Sequence, residues 1–483
     1  MRGRKPIACL LLLVLCLLPV LTACQTGADP SGTETTGGAP IDSTVTTTET
    51  PTDPATKPED PVQPVPEPVQ VVTGETSRYQ LIYDPDDKAA QIVASALLKL
   101  VSGETGCLLD FYEDSGKPAS ADAYEILIGA TDRQESIAAV GALAEGEYSI
   151  AVTERKIVLA GADGYALSVA VAEFYETAHS GKNLTVSAGF EKRGKVTFAA
   201  DASYPIAVTE GKQNEVLMYD LAKGGLTDDN VIKRFSVGGS GAADVRLREW
   251  QGRQVVLSAG GYHAKLLDWE TGDVLWSYEG TLIWNAHAME LLPDGILAVA
   301  GSTGNNLTFF SLTDRTATPL RLEFADAHGA MWDPSHTCLW VCGGNQMKAY
   351  RVTQSGGRIA AEEIRSLTIP ANGAHDLQPV YGTPGTYWLT TSGTVFRFDS
   401  NTETFRAVPT SSQLGMKGVK GMGNFTDGCI VQTIADGSDN SWNTATVWLY
   451  RYNATLNLYV PTAFVSPTGA ALYKVRVWSA AYQ

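Results

Sequence analysis

A ten-residue window recurs six times through the last 240 residues of the chain, and its spacing restricts the fold more than any other feature. The clearest copy is AHAMELLPDG, starting at Ala286. Looser copies start at Ala243 (ADVRLREWQG), Ala327 (AHGAMWDPSH), Ala374 (AHDLQPVYGT), Val419 (VKGMGNFTDG) and Tyr473 (YKVRVWSAAY). Successive starts are 43, 41, 47, 45 and 54 residues apart, the period of a four-stranded propeller blade. Second strands are expected at 255–259, 296–300, 338–342, 387–391 and 429–434, and third strands at 264–269, 307–312, 347–352, 395–399 and 447–452. Too few residues follow the sixth window to complete its blade. Segments 215–221 and 231–237, ahead of the first window, carry the missing patterns, so pairing the two ends in one blade would close the ring and hide both edges. The expected fold is multidomain: a small α+β domain at 76–203, then an all-β six-bladed β-propeller at 204–483.

The beginning of the chain has another character. Arg2, Arg4 and Lys5 precede an apolar stretch at 7–21 that is short for a membrane span, so 1–23 reads as a secretory signal. Leu21-Thr22-Ala23-Cys24 resembles the bacterial lipobox, which implies cleavage before Cys24 and a lipid on its sulfur. Residues 24–75 are rich in Thr, Pro, Gly and acidic side chains, with almost nothing large and apolar, as in a disordered stalk. Loss of the signal would take the formal charge from −17 to about −20, which argues against nucleic acid and against a basic membrane-binding patch. The expected location is therefore the outer face of a bacterial membrane, held through the lipid alone, and the expected state is monomeric. Cys107, Cys338, Cys342 and Cys429 form neither a disulfide framework nor a CxxC pair.

In the small domain, Asp86-Asp87 can cap a helix with apolar positions at Ile92, Ala96, Leu97 and Leu100 that ends at Gly103. Strands are expected at 78–83, 108–112 and 125–129, a hairpin at 148–160, and a second helix at 165–179. EILIGATDRQES (125–136) and EYSIAVTERKIVLAGADG (147–164) resemble the non-catalytic domain that precedes the barrel in family 67 α-glucuronidases and family 20 hexosaminidases. That resemblance implies a carbohydrate setting and lends no catalytic residue. LDWETGDVLW (267–276) resembles the blade motif of quinoprotein-type propellers, in which Thr-Gly makes the outer turn and the Trp docks on a neighbour. It implies architecture and no quinone. As a whole the chain resembles an uncharacterised family of secreted bacterial propeller proteins.

Ungapped alignment of the six windows puts Asp244, His287, His328, His375, Lys420 and Lys474 at the second position, where a propeller would gather them at the channel mouth. Three of the chain's six histidines fall there. His287, His328 and His375 are the candidate catalytic residues, able to act as acid and base if they titrate near neutrality. Asp244, Lys420, Lys474 and Arg476 are candidate ligand-binding residues, whose cations would hold a carboxylate or sulfate. Trp284 and Trp442, the latter in a polar loop at 436–443, could stack on sugar rings. The expected function is binding of a carbohydrate, or another anionic small ligand, at this ring. Alternatives are a metal-free uronate lyase, a hydrolase with a divalent metal on the three histidines, and a protein-docking propeller. No cofactor is otherwise expected: Lys420 and Lys474 oppose a cation, and GxSxG, GxxxxGK[ST] and HExxH are absent. Asp294-Gly295 and Asp333-Pro334 read as turns, and His179 and His336 as solvent-facing.

Overall fold

The computed structural model describes residues 67–479 apart from 200, 240, 438, 439 and 468. The expected signal, the Cys24 lipidation site and most of the stalk lie outside the described residues. The stalk is shorter than expected, because Pro68–Thr73 is a strand that pairs antiparallel with Asn183–Ser187. The alternation in PVQVVT buries Val69, Val71 and Val72 and ties this segment into the small domain.

The main sheet of that domain runs in the order Asp110–Glu113, Gln80–Tyr83, Glu125–Ile128, Lys156–Gly161, Glu147–Val152, Glu191–Lys195. The first four strands are parallel and the last two antiparallel. Helix α1 (Lys88–Thr105) starts where the Asp87 carboxylate accepts from the backbone N–H groups of Ala89 (2.8 Å) and Ala90 (3.1 Å). It ends at Gly106, whose φ of 81° gives the left-handed cap that glycine tolerates, three residues later than expected. Helix α2 (Gln134–Gly141) was not foreseen: it has one short turn of apolar residues and only Ser136 buried. Helix α3 (Gly164–Ala178) carries a carboxylate cap at Asp163.

The rest of the described chain is β-rich: six four-stranded antiparallel sheets, each led by one of the recurring windows. Sheets II to VI begin with Asp244–Trp250, Ala286–Leu292, Ala327–Asp333, Ala374–Pro379 and Val419–Asn424, and their second and third strands fall where the sequence places them. Sheet I is assembled from both ends, in the order Leu472–Val477, Pro205–Glu210, Glu215–Asp220, Lys233–Ser236. Pro205–Glu210 is the strand sequence reasoning missed. The leading strands touch in succession from sheet I to sheet VI, and that of sheet VI touches Leu472–Val477 of sheet I. Removal of residues from 471 onward should therefore unpair Pro205–Glu210 and leave an open edge. We expect such a truncated chain to lose cooperative unfolding in a urea titration; a sharp transition at the parent midpoint would contradict the pairing.

Neighbouring sheets are pinned by aromatic and polar contacts. Trp276, from the quinoprotein-like segment, packs edge-on against Phe310 of sheet III at 5.2 Å. Asp333 does more than turn the chain. Fully buried, it accepts from Trp340 Nε1 (3.2 Å) and from the backbone N–H of Ser335, and it lies 2.9 Å from His336 Nδ1, which is in turn 3.4 Å from Ser400 Oγ of sheet V. His336 is solvent-facing, as expected, and is tethered by these contacts. The small domain shares its core with sheet VI: Leu456, Leu458 and Val460 are buried among Val93, Leu97, Val171 and Phe174. Asn453 Nδ2 also donates to the Ser168 carbonyl of α3 at 3.2 Å.

Candidate functional site

Five of the six leading strands contain an extra residue, all but that of sheet II. Ala286 and Ala288 face adjacent residues of the second strand, Gly301 and Ala300, so His287 is the unpaired residue of a β-bulge. The same shift occurs at His328, His375 and Lys420. A bulge re-aims the side chain it carries. These four therefore leave the sheet together and form a row: ring centroids are 4.5 Å apart for His287 and His328 and 4.8 Å for His328 and His375, and Lys420 Nζ lies 3.0 Å from His375 Nε2. Tyr473 meets the other end of the row, its ring 5.8 Å from that of His287.

The window of sheet II has no bulge. Asp244 pairs directly with Ala259 and points inward, level with Asp376, which pairs with Thr390. Lys474 also turns inward, with Tyr473 taking the place the alignment gave it. The ungapped alignment is thus one residue out of step at both sites, and Asp244, Lys474 and Arg476 are not ligand-facing. All three are buried in an ion network beneath the histidines. Arg476 grips Asp376 (2.7 and 2.8 Å) and Asp244 (2.5 Å), while Arg246 reaches Asp244 (3.1 Å) and Glu290 (3.4 Å). Arg248 holds Glu290 through two bonds of 2.7 Å. Lys474 Nζ lies 3.4 Å from Asp376 and donates to the carbonyls of His287 (2.8 Å) and His328 (3.3 Å). Burial opposes ionisation of Asp244, but Arg246, Arg476 and Lys474 outweigh it and hold the carboxyl well below the usual range. In this network four cations, Arg246, Arg248, Lys474 and Arg476, are set against three carboxylates, Asp244, Glu290 and Asp376.

Two of the three histidines are held neutral. Burial, reinforced by the neighbouring His328, lowers His287 to about 3; burial and Lys420 lower His375 to about 2. The expectation that these two titrate near neutrality is therefore not met, and neither is matched to proton abstraction at that pH. Lys420 is brought down toward neutrality, to about 8, by burial and by Lys474. Its amine should titrate near pH 8 against 10.5 for an ordinary lysine. NMR of the reductively methylated protein checks this, and a Lys420 midpoint above 10 would contradict it. Among the described residues no group of three or more His, Cys, Asp or Glu side chains is placed to hold a metal ion. The four cysteines are buried and unpaired.

Beside His287 opens a cleft of about 360 Å³, lined by Tyr262, Trp284, Asn285, Trp442, Asn443 and Tyr473 among others. Trp284 and Trp442 come to the same cleft, as their candidacy requires, and are 50% and 55% exposed, unlike the packed indoles of Trp340, Trp388 and Trp478. Tyr262, 42% exposed, stacks on Trp284 with centroids 6.1 Å apart and planes 23° apart. It was missed because it stands alone after Gly260-Gly261 in a strand turn, with no pattern to mark it. Lys212 is the cation in the lining, and its ammonium donates to the Gly469 carbonyl at 2.8 Å.

Residues 245–452 match the model of a family described as a family of unknown function (DUF6528). This stretch contains the histidine row, Lys420, Trp284 and Trp442, and leaves out the small domain. A solved structure of a protein of unknown function from Bacteroides caccae is similar at 10% identity and a TM-score of 0.42, over 57% of this chain and 98% of that one. No curated protein matches the chain.

Proposed function

We propose that the six sheets are the blades of a six-bladed propeller, carried on an exported, lipid-anchored chain, and that the cleft beside His287 binds carbohydrate. The propeller reading is supported by the period of the windows, the four-stranded sheets and the succession of contacts between leading strands. Export and anchoring are supported by the basic and apolar beginning of the chain and by Leu21-Thr22-Ala23-Cys24. No described helix is long and apolar enough to cross a membrane.

The observation that carries the ligand class is the cleft itself. Two half-exposed indoles and a tyrosine gather in one concavity, interleaved with the side chains of Asn285, Asn443 and His287. Exposed aromatic clusters of this size are costly to leave in water and mark binding surfaces. Flat apolar faces with a few polar groups between them suit a ligand whose rings have apolar faces and hydroxylated edges, which describes a sugar. The experiment is a glycan panel read by intrinsic tryptophan fluorescence, with the full chain and its Trp284→Ala/Trp442→Ala variant. Saturable binding that the variant loses supports the reading; no binding across the panel, or binding the variant keeps, refutes it.

A further inference from the structure

The carbohydrate reading leaves open which sugars fit, and the hydrogen-bonding polarity of the mouth narrows them. His287 Nδ1 lies 2.8 Å from the Asn285 carbonyl, and His328 Nδ1 lies 2.9 Å from the Asp326 carbonyl. A carbonyl can only accept, so each Nδ1 carries a proton, and His287, which burial keeps neutral, then offers a lone pair at Nε2. Neither Nε2 has a partner among the described residues, and neither is shut away from solvent. The Asp326 carboxylate, about half exposed, stands 3.1 Å from His328 Nδ1 and adds a further acceptor. Of the cations nearby, Lys474 and Arg476 are buried against carboxylates and carbonyls, while Lys420 gives one N–H to His375 Nε2 and Lys212 one to the Gly469 carbonyl.

An anionic group at the floor would meet lone pairs and a carboxylate where it needs donors. Protonating His287 to receive it is opposed by burial and by Lys474. An ammonium would meet the charge of Lys420. Hydroxyl groups meet neither obstacle, because each can donate to a ring nitrogen. We infer that the site prefers uncharged, hydroxyl-rich sugars, recognised by a hydroxyl that donates to Nε2 of His287, over uronates, sulfated sugars and protonated amino sugars. This departs from the anionic preference expected from the sequence, and it rests on the carbohydrate reading above.

The test uses the full chain with neutral, uronate, sulfated and amino oligosaccharides, and includes oligogalacturonate beside its methyl ester, which has the same sugar backbone with the carboxylate charge removed. The expected result is that the tightest ligand is uncharged and binds at least tenfold better than any charged one. His287→Leu should weaken it about tenfold, while His287→Gln, which keeps an acceptor, restores most of the loss. If the tightest ligand is charged and its binding still depends on Trp284 and Trp442, this inference falls and the carbohydrate reading stands. If no sugar binds, or binding ignores both indoles, the carbohydrate reading falls and takes this inference with it.

Discussion

Replacing Trp284 alone by alanine is expected to weaken glycan binding roughly thirtyfold, and replacing Trp442 to do the same, because a central aromatic anchor contributes about 2 kcal/mol or more. The fold should survive both changes, since each indole is already half in water and neither belongs to a buried cluster. Isothermal calorimetry gives the affinity, and a urea titration checks the stability. Tyr262→Ala should show a smaller loss of the same kind, through the Trp284 ring it steadies. Trp340→Ala is the instructive contrast, because its side chain is buried and bonded to Asp333. There the stability should drop by about 3–5 kcal/mol. An affinity that ignores Trp284 and Trp442 would mean that the cleft is not the binding surface.

The second large effect lies in the ion network. Asp376→Ala removes the carboxylate that holds both Arg476 and Lys474, and leaves two buried cations short of their counter-charge. Breaking a buried pair from one side costs about 3–5 kcal/mol. Asp376→Asn, which keeps an acceptor, should cost less. The network also makes the fold acid-sensitive. Asp244 has a folded value below its unfolded 3.8, so the stability it contributes is fully present above that value. It is lost as pH falls through the window beneath 3.8 toward the folded value. Urea midpoints taken from pH 7 down to pH 2 should fall steeply below pH 4 in the parent and less steeply in Asp244→Asn. Equal slopes would show that Asp244 is not ionised against its arginines.

Much of the molecule was legible in the sequence, for stated physical reasons. Alternating apolar residues and the regular period of the windows placed all six leading strands and, in sheets II to VI, their second and third partners. The Asp87 carboxylate marked the start of α1. The histidines were found because ionisable side chains recur at one position of an otherwise apolar pattern. What failed was register. A bulge adds one residue to every leading strand but that of sheet II, and the Tyr473 window starts one residue late relative to its own bulge, neither of which an ungapped alignment can register. It therefore grouped Asp244 and Lys474 with the histidines, although their partners are the acid and arginines one layer down. Asp376, an acid just after a histidine, was the available hint: opening a gap before it brings it level with Asp244. Pro68–Thr73 escaped notice because a six-residue strand following a Pro-rich segment looks like more of that segment. Pro205–Glu210 was missed because it precedes the first window, where there was no repeat to compare.

The way sheet I is completed has a consequence for how the chain is made. Lys474 N–H bonds to Thr209 Oγ1, a partner 265 residues earlier, and Ala471 N–H bonds to the carboxylate of Glu210 across 261. Synthesis runs at about 5–20 residues per second, so Pro205–Glu210 waits many seconds with one edge unpaired. Contacts so distant along the chain are slow to form, and an unpaired strand is an invitation to wrong partners. The buried charges of the mouth depend on the same late arrival, because Lys474 and Arg476 lie on the strand that comes last. Until it docks, Asp376 lacks both of its cations and Asp244 has Arg246 alone. The ring of sheets and the floor of its mouth are therefore finished in one event, and a nascent chain held short of it would have neither.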